Sequence, residues 1–362
     1  EGLRILLGRV LATLASFERF ARTHAALPCL AYTHFQPAQL TTVGKRATLW
    51  MQDLALDVEE LVHRLETLRL RGCKGTTGTQ ASFLELFNGD HDKVRELDAR
   101  VAAKLGFTRV FPVTGQTYTR KQDAQIMAAL SGVAASAAKF ATDMRLLQHE
   151  GELLEPFESE QVGSSAMPYK RNPMRAERMT GLARFVIELE GNAWHTAAEQ
   201  WLERTLDDSA NRRLVIPEAF LAADAILVLA ANVAAGLEVR EGVIRRHVED
   251  TLPYLVTERL LMRGVKAGGD RQRLHEVIRG HSLAVAQATA EQGATNDLVV
   301  RLAADPAFRH LGVAARADEL DPLQYVGRAP EQVDHFLDEV LPAVLHRIES
   351  VSPTTSAAEV KV

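Results

Sequence analysis

From Thr119 to about Glu150 no proline intervenes, and apolar residues recur at steps of three and four: Ile126, Leu130, Val133, Ala137, Phe140, Met144 and Leu147. That period, sustained so long, predicts one α-helix of ~30 residues and ~45 Å. One small domain cannot cover such a rod, so the chain is constrained to a bundle of comparably long helices. The small residues Ala134 to Ala138 allow those neighbours close approach. The neighbours are visible too. Leu3, Leu6, Leu7, Val10, Leu11, Leu14 and Phe17 form a stripe that is expected to end at Pro28. A second begins near Thr42 and carries Trp50, Leu54, Val58, Leu61, Leu65 and Leu68, almost a heptad seam. A short helix with Val94, Leu97, Val101 and Leu105 is expected to close on Gly106. Further helices are expected from Pro173 to about Gln200 and from Asp208 to about Leu237, the latter kinked at Pro217.

No strand alternation and no internal repeat is evident. The predicted fold class is all-α, a long-helix bundle over residues 1–240. A smaller C-terminal helical domain follows over 241–350, where helices shorten and charge rises, and 351–362 is a flexible tail. The surplus apolar faces predict a symmetric oligomer. Trp50, Trp194 and Trp201 are expected to be packing residues.

Composition narrows the function classes. Apolar residues at 46% and charged residues at 25% exclude wholesale disorder, and a formal net charge of −5 argues against a nucleic-acid coat protein. Two cysteines, Cys29 and Cys73, make neither a disulfide framework nor a four-thiolate zinc site, which fits a cytoplasmic location. No uninterrupted apolar run reaches the ~18–20 residues of a membrane helix. The chain opens on Glu1-Gly2-Leu3-Arg4, within the first stripe and without a start Met or signal pattern, so upstream residues are expected. Gly44-Lys45-Arg46 lacks the Ser/Thr of a phosphate loop, and His275-Glu276 meets its next His only at position 281, so the HExxH zinc pattern fails. No G-x-G-x-x-G stands between a strand and a helix, and there is no G-x-S-x-G elbow.

Chemistry concentrates in loops rich in Gly, Ser and Thr at 72–80, 112–119 and 161–172. The last reads Gly163-Ser164-Ser165-Ala166-Met167-Pro168-Tyr169-Lys170-Arg171-Asn172, with Pro173 suited to the first turn of the next helix. Hydroxyls, an ammonium and an amide around a helix start suit a carboxylate or a developing anion. Taken alone, the segment is more simply a capped helix start with surface charge. A lone His34 is most simply a core residue, and lone Arg204 and Arg213 are most simply solvated charges.

The segment resembles the signature of the fumarase/aspartase superfamily, GSS-x-M-P-x-K-x-N. Its flanks resemble the adenylosuccinate lyases of animal type. They are Thr33-His34-Phe35-Gln36-Pro37-Ala38-Gln39, Lys74-Gly75-Thr76-Thr77-Gly78-Thr79-Gln80, Thr114-Gly115-Gln116-Thr117-Tyr118, Met174-Arg175-Ala176-Glu177-Arg178 and the stretch from Glu203 to Arg213. The resemblance implies a fumarase/aspartase-type bundle and removal of fumarate from adenylosuccinate, giving AMP, and from succinylaminoimidazole-carboxamide ribotide (SAICAR), giving AICAR. Both are β-eliminations in purine biosynthesis without metal or organic cofactor.

The resemblance also implies roles. Ser164 is the base, activated in a closed, cation-lined site; His34 is the general acid. Lys170 and Asn172 bind the succinyl carboxylate and spread its developing charge. Read from the residues alone, Glu177 pairs with Lys170 to orient it or is a helix-surface acid, the former being favoured. Gln116 is a substrate-contacting amide, Arg178, Arg204, Ser209 and Arg213 contact the nucleotide, Thr33 touches substrate beside His34, and Lys74, Thr76, Thr77 and Ser165 are secondary candidates. The implied partners are nucleotide substrates and copies of the chain in a homotetramer whose active sites combine segments of three subunits; no nucleic acid or membrane is implied. The family adds an N-terminal helical domain of roughly a hundred residues, which has no counterpart in this sequence. Two alternatives remain open from sequence: another lyase of the superfamily, such as argininosuccinate lyase, and a catalytically silent helical assembly.

Overall fold

The structure is a computed structural model that describes residues 1–157, 167, 169–312 and 320–354. Its elements are helix α1 (Gly2–Thr23), strands β1 (Pro28–Thr33) and β2 (Gln36–Thr42), and helices α2 (Val43–Thr67), α3 (Ala81–Leu86), α4 (His91–Lys104) and α5 (Lys121–His149). There follow the two-residue strand β3 (Leu153–Leu154), α6 (Met174–Ala198), α7 (Asp207–Ala235), the two-residue strand β4 (Glu238–Val239), α8 (Glu241–Lys266) and α9 (Arg271–Gln292). The short helices α10 (Leu298–Ala304), α11 (Pro306–His310), α12 (Ala329–His335) and α13 (Leu341–His346) complete the described chain.

The long helices fall where the period predicts them, and α7 continues on both sides of Pro217. Three expectations change. The first helix ends at Thr23, and Pro28 opens an antiparallel hairpin in which Thr33 faces Gln36. That hairpin has no sequence signal because its turn lacks Gly or Asn and its second strand contains Pro37. The helices after residue 240 do not shorten at once: α8 has 26 residues and α9 has 22. Pro173 is the N-cap of α6 rather than a member of its first turn.

The chain also divides differently from the linear split. One compact unit comprises Glu1–Glu18, Trp50–Glu238 and the segment from Glu339 onward; the other comprises Arg19–Leu49 and Val239–Asp338. α1 and α2 each run through a boundary, since a helix of more than twenty residues outlasts one layer of core.

In the first unit α5 packs along α6, and both pack on α7. Buried Ala129, Ala134, Ala137 and Ala141 on α5 face neighbours closely. Phe17, Trp50 and Phe140 form an aromatic cluster with centroids 4.9–5.6 Å apart, and the Trp50 indole N–H donates to Asp143 at 2.7 Å. Trp194 and Trp201 are exposed instead, Trp201 by 70%. α5 and α7 are each long and apolar enough to cross a membrane by length and composition. The buried residues of each fall at helical spacing along one side, packed in the bundle as in core helices. In the second unit the β1–β2 hairpin packs on α8, and α8 on α9 and α10.

Candidate active site

The residues singled out by sequence fall into three groups. The first surrounds the start of α6. Lys170 is exposed and makes no ion pair among the described residues, and Asn172 is half-buried. Glu177 and Arg178 are exposed in the first turns of α6. Among the described residues Glu177 and Lys170 form no ion pair, and Glu177 stands as an exposed acid on the helix surface. Burial pushes the Glu155 carboxyl above its ordinary value, with a smaller push from Glu177, against the pull of the Arg175 and Ala176 amides and the Arg175 charge. Ser164 and Ser165 lie outside the described residues.

The second group lies where three loops meet. Leu70 bridges Val110, so the chain enters the 72–80 and 112–119 loops side by side. The Gln116 N–H donates to the Glu203 carbonyl at 3.0 Å, and Arg71 donates to the Gln116 carbonyl at 2.7 Å. A Cβ at Gly78 would stand 1.7 Å from the Thr114 carbonyl oxygen, so only glycine permits this approach. Gln116 and Arg213 are exposed, and Arg204 and Ser209 are half-buried. Thr76 and Thr77 are exposed at the neighbouring loop tip. Lys74 is not available to a ligand: it is 4% exposed and pairs with buried Asp98, which also accepts from the Cys73 N–H at 2.6 Å.

Sequence reasoning missed the network beneath this group. Asp208, 2% exposed, accepts from Arg120 at 2.6 Å and from Arg204 at 3.0 Å. Beside it, Asp123 accepts from Tyr118 at 2.8 Å and from Arg212 at 2.6 Å. The Tyr118 ring faces both guanidiniums, Arg120 at 4.7 Å and Arg212 at 5.7 Å. Burial and Asp123 push the Tyr118 hydroxyl up to about 12, so it stays a donor. The i,i+4 spacing of Arg204 and Asp208 was the available signal.

The third group is the tip of the hairpin in the other unit. His34 and Phe35 both take positive φ, 54° and 57°, the pattern of a type I′ turn without its usual glycine. Thr33 and His34 are exposed there. Two non-glycine residues in the left-handed region mark a place where side-chain identity outweighs backbone comfort.

One chain does not bring the first two groups together. α5 and α6 are antiparallel, because Gln148 at the end of α5 meets Arg171 ahead of α6. α6 and α7 are antiparallel, because Asn192 meets Asn211 at 2.7 Å. Lys170 and Arg204 therefore sit at opposite ends of the bundle, separated by the 25 residues of α6. That is about 37 Å.

Comparison with known proteins defines the class first. The Lyase family model matches residues 4–187, and the Adenylosuccinate lyase C-terminus model matches residues 253–336. The fold aligns with a 3-carboxy-cis,cis-muconate lactonizing enzyme from Pseudomonas putida at a TM-score of 0.77 and 22% identity, over 95% of this chain and 73% of that one. This is the fumarase/aspartase type of helical bundle. The adenylosuccinate lyase of Saccharomyces cerevisiae is 49% identical over 92% of this chain and 69% of its own length. That of Schistosoma mansoni is 49% identical over 95% and 72%. The chain belongs to the adenylosuccinate lyase family, and it is a carbon–nitrogen lyase.

Proposed function

We propose that the protein eliminates fumarate from adenylosuccinate, leaving AMP, and from SAICAR, leaving AICAR, at sites assembled from several copies of the chain. The observation that carries this reading is near-half identity to relatives named adenylosuccinate lyase over more than nine-tenths of the chain. It favours this reading over argininosuccinate cleavage and over a silent assembly.

The chemistry follows from residue types. A base removes a proton from the succinyl carbon beside a carboxylate, the resulting carbanion is held as a doubly charged aci-carboxylate, and an acid protonates the departing nitrogen. Ser164 is assigned as base and His34 as acid, roles that acid–base catalysis rewards by ~10²–10⁴. Lys170 and Asn172 hold the carboxylate on which charge develops; losing one such donor costs ~10²–10³ in rate. Arg204, Ser209, Arg213 and Gln116 serve the nucleotide, whose phosphate suits guanidinium forks and hydroxyls, with Arg178 and Thr33 as further contacts.

The 37 Å estimate between Lys170 and Arg204 supports a shared site, because one small substrate cannot touch both within one chain. Exposed apolar side chains support assembly. Leu49 and Leu56 on α2, and Leu214 and Leu221 on α7, recur seven residues apart on open faces. A homotetramer built on these faces is our reading of the assembly. Cys29 and Cys73 form no disulfide, which supports a cytoplasmic location.

Fumarate absorbance on addition of adenylosuccinate tests the reaction. Turnover is expected with adenylosuccinate and SAICAR and not with argininosuccinate. Release from argininosuccinate alone, or wild-type activity in both Ser164→Ala and His34→Gln, overturns the assignment.

A further inference from the structure

The segment that carries Lys170 and Asn172 is held by a frame with no assigned part in the reaction. Gln148 stands in the last turn of α5. Its side-chain oxygen accepts from the Glu155 N–H at 3.1 Å, and its amide NH₂ donates to the Arg171 carbonyl at 3.0 Å. One amide thus ties the chain leaving β3 to the residue that separates Lys170 from Asn172. Glu155, 4% exposed, accepts from the Arg175 and Ala176 N–H groups at 3.0 Å each, satisfying donors that a helix start leaves open. Arg171 is anchored by its side chain as well: its guanidinium pairs with Glu238 at 2.6 Å and lies 4.8 Å from the Phe157 ring centroid. Arg175 is buried and donates to the Pro156 carbonyl. Arg171, between Lys170 and Asn172, and Arg175 and Ala176 beyond them are held, while the Lys170 side chain remains exposed.

We propose that Gln148, Glu155 and Arg171 are positioning residues, which hold the backbone from which Lys170 and Asn172 reach the succinyl carboxylate. The proposal rests on the reaction assigned above and extends it to residues outside the signature's named positions. The chemistry of residue 148 is restrictive. It must accept from one backbone group and donate to another at once, which a side-chain amide does and an ionised carboxylate or a thioether does not. Electrostatic donors act at full strength only when they are preorganised, and displacement of about 1 Å costs up to ~10² in rate. The frame therefore bears on the chemical step more than on nucleotide binding.

The test uses Gln148→Met and Gln148→Glu in the full protein, assayed by fumarate release and by hydrogen–deuterium exchange. Gln148→Met is expected to lower kcat by ~10–100-fold with KM within about threefold. Its melting curve is expected to show a folded protein, with faster exchange at the Lys170, Arg175 and Ala176 amides. Gln148→Glu keeps the acceptor and loses the donor while ionised. Its activity relative to wild type at the same pH is expected to rise as pH is lowered toward about 4.5, where the carboxyl regains a proton to donate. A purely structural role predicts no such recovery. Wild-type kcat in Gln148→Met overturns the proposal. So does a loss that only tracks unfolded protein, or one confined to KM. If the wild type releases no fumarate, the reaction assignment fails, and the exchange data still judge the frame: unchanged protection at those three amides overturns it.

Discussion

Two buried carboxylates show how neighbours decide what a charge does. Asp208 is surrounded by donors, and its two oxygens are matched to Arg120 and Arg204. Breaking such a pair from one side leaves the buried Arg120 cation uncompensated, so Asp208→Ala is expected to cost about 3–5 kcal/mol in urea unfolding. Asp57 is the opposite case. It is buried on α2 with one carboxylate oxygen unmatched. Burial pushes its pKa up to about 7 from 3.8, Asp53 adds to the push, and a hydrogen bond with Ser136 opposes it. The folded state thus holds a proton that the unfolded chain loses near pH 4. Stability attributable to this group falls as pH rises from about 4 to about 7, and is lowest above that window. Asp57→Asn is expected to raise stability by roughly 1–3 kcal/mol at pH 8 and to change little near pH 4, as read from thermal melts at both pH values. Equal effects at the two pH values would count against this account.

Among the elements, the long helices were legible because their apolar residues obey one period for about four to six turns. Val43–Thr67 and Lys121–His149 fall within a few residues of the stripes that predict them. The hairpin was not legible, since its turn is made by His34 and Phe35 where Asn and Gly are usual. Backbone strain there gives a prediction. Phe35→Gly relieves a left-handed residue and loses only an exposed ring contact with Tyr32, so stability is expected to change by less than about 1 kcal/mol. Phe35→Val places a β-branched side chain at positive φ and is expected to destabilise by more than about 1 kcal/mol. Differential scanning calorimetry separates the two, and equal melting temperatures would remove the argument from strain. Gln148 and Glu155 left no trace in the sequence because their partners are backbone groups, which carry no residue code.

At the scale of the whole molecule, the sequence named the candidate site residues but not their separation. Lys170, Asn172, Glu177 and Arg178 share one end of the bundle; Gln116, Arg204, Ser209 and Arg213 share the other. Motif order along the chain says nothing of this, because antiparallel helices send neighbouring motifs to opposite ends. Exposed Trp201 and Leu202, the latter 97% open, lie in the loop that joins α6 to α7, at the Arg204 end. Apolar surface beside polar site residues is what a site completed by another copy requires. The most direct measurement is complementation. Lys170→Met and Arg204→Gln subunits, each inactive alone, are mixed, dissociated and reassembled, and fumarate release is followed. Shared sites predict that activity returns, because some sites in mixed assemblies receive both native residues. A mixture that stays inactive, while wild-type subunits treated identically recover, would contradict a site built from more than one chain.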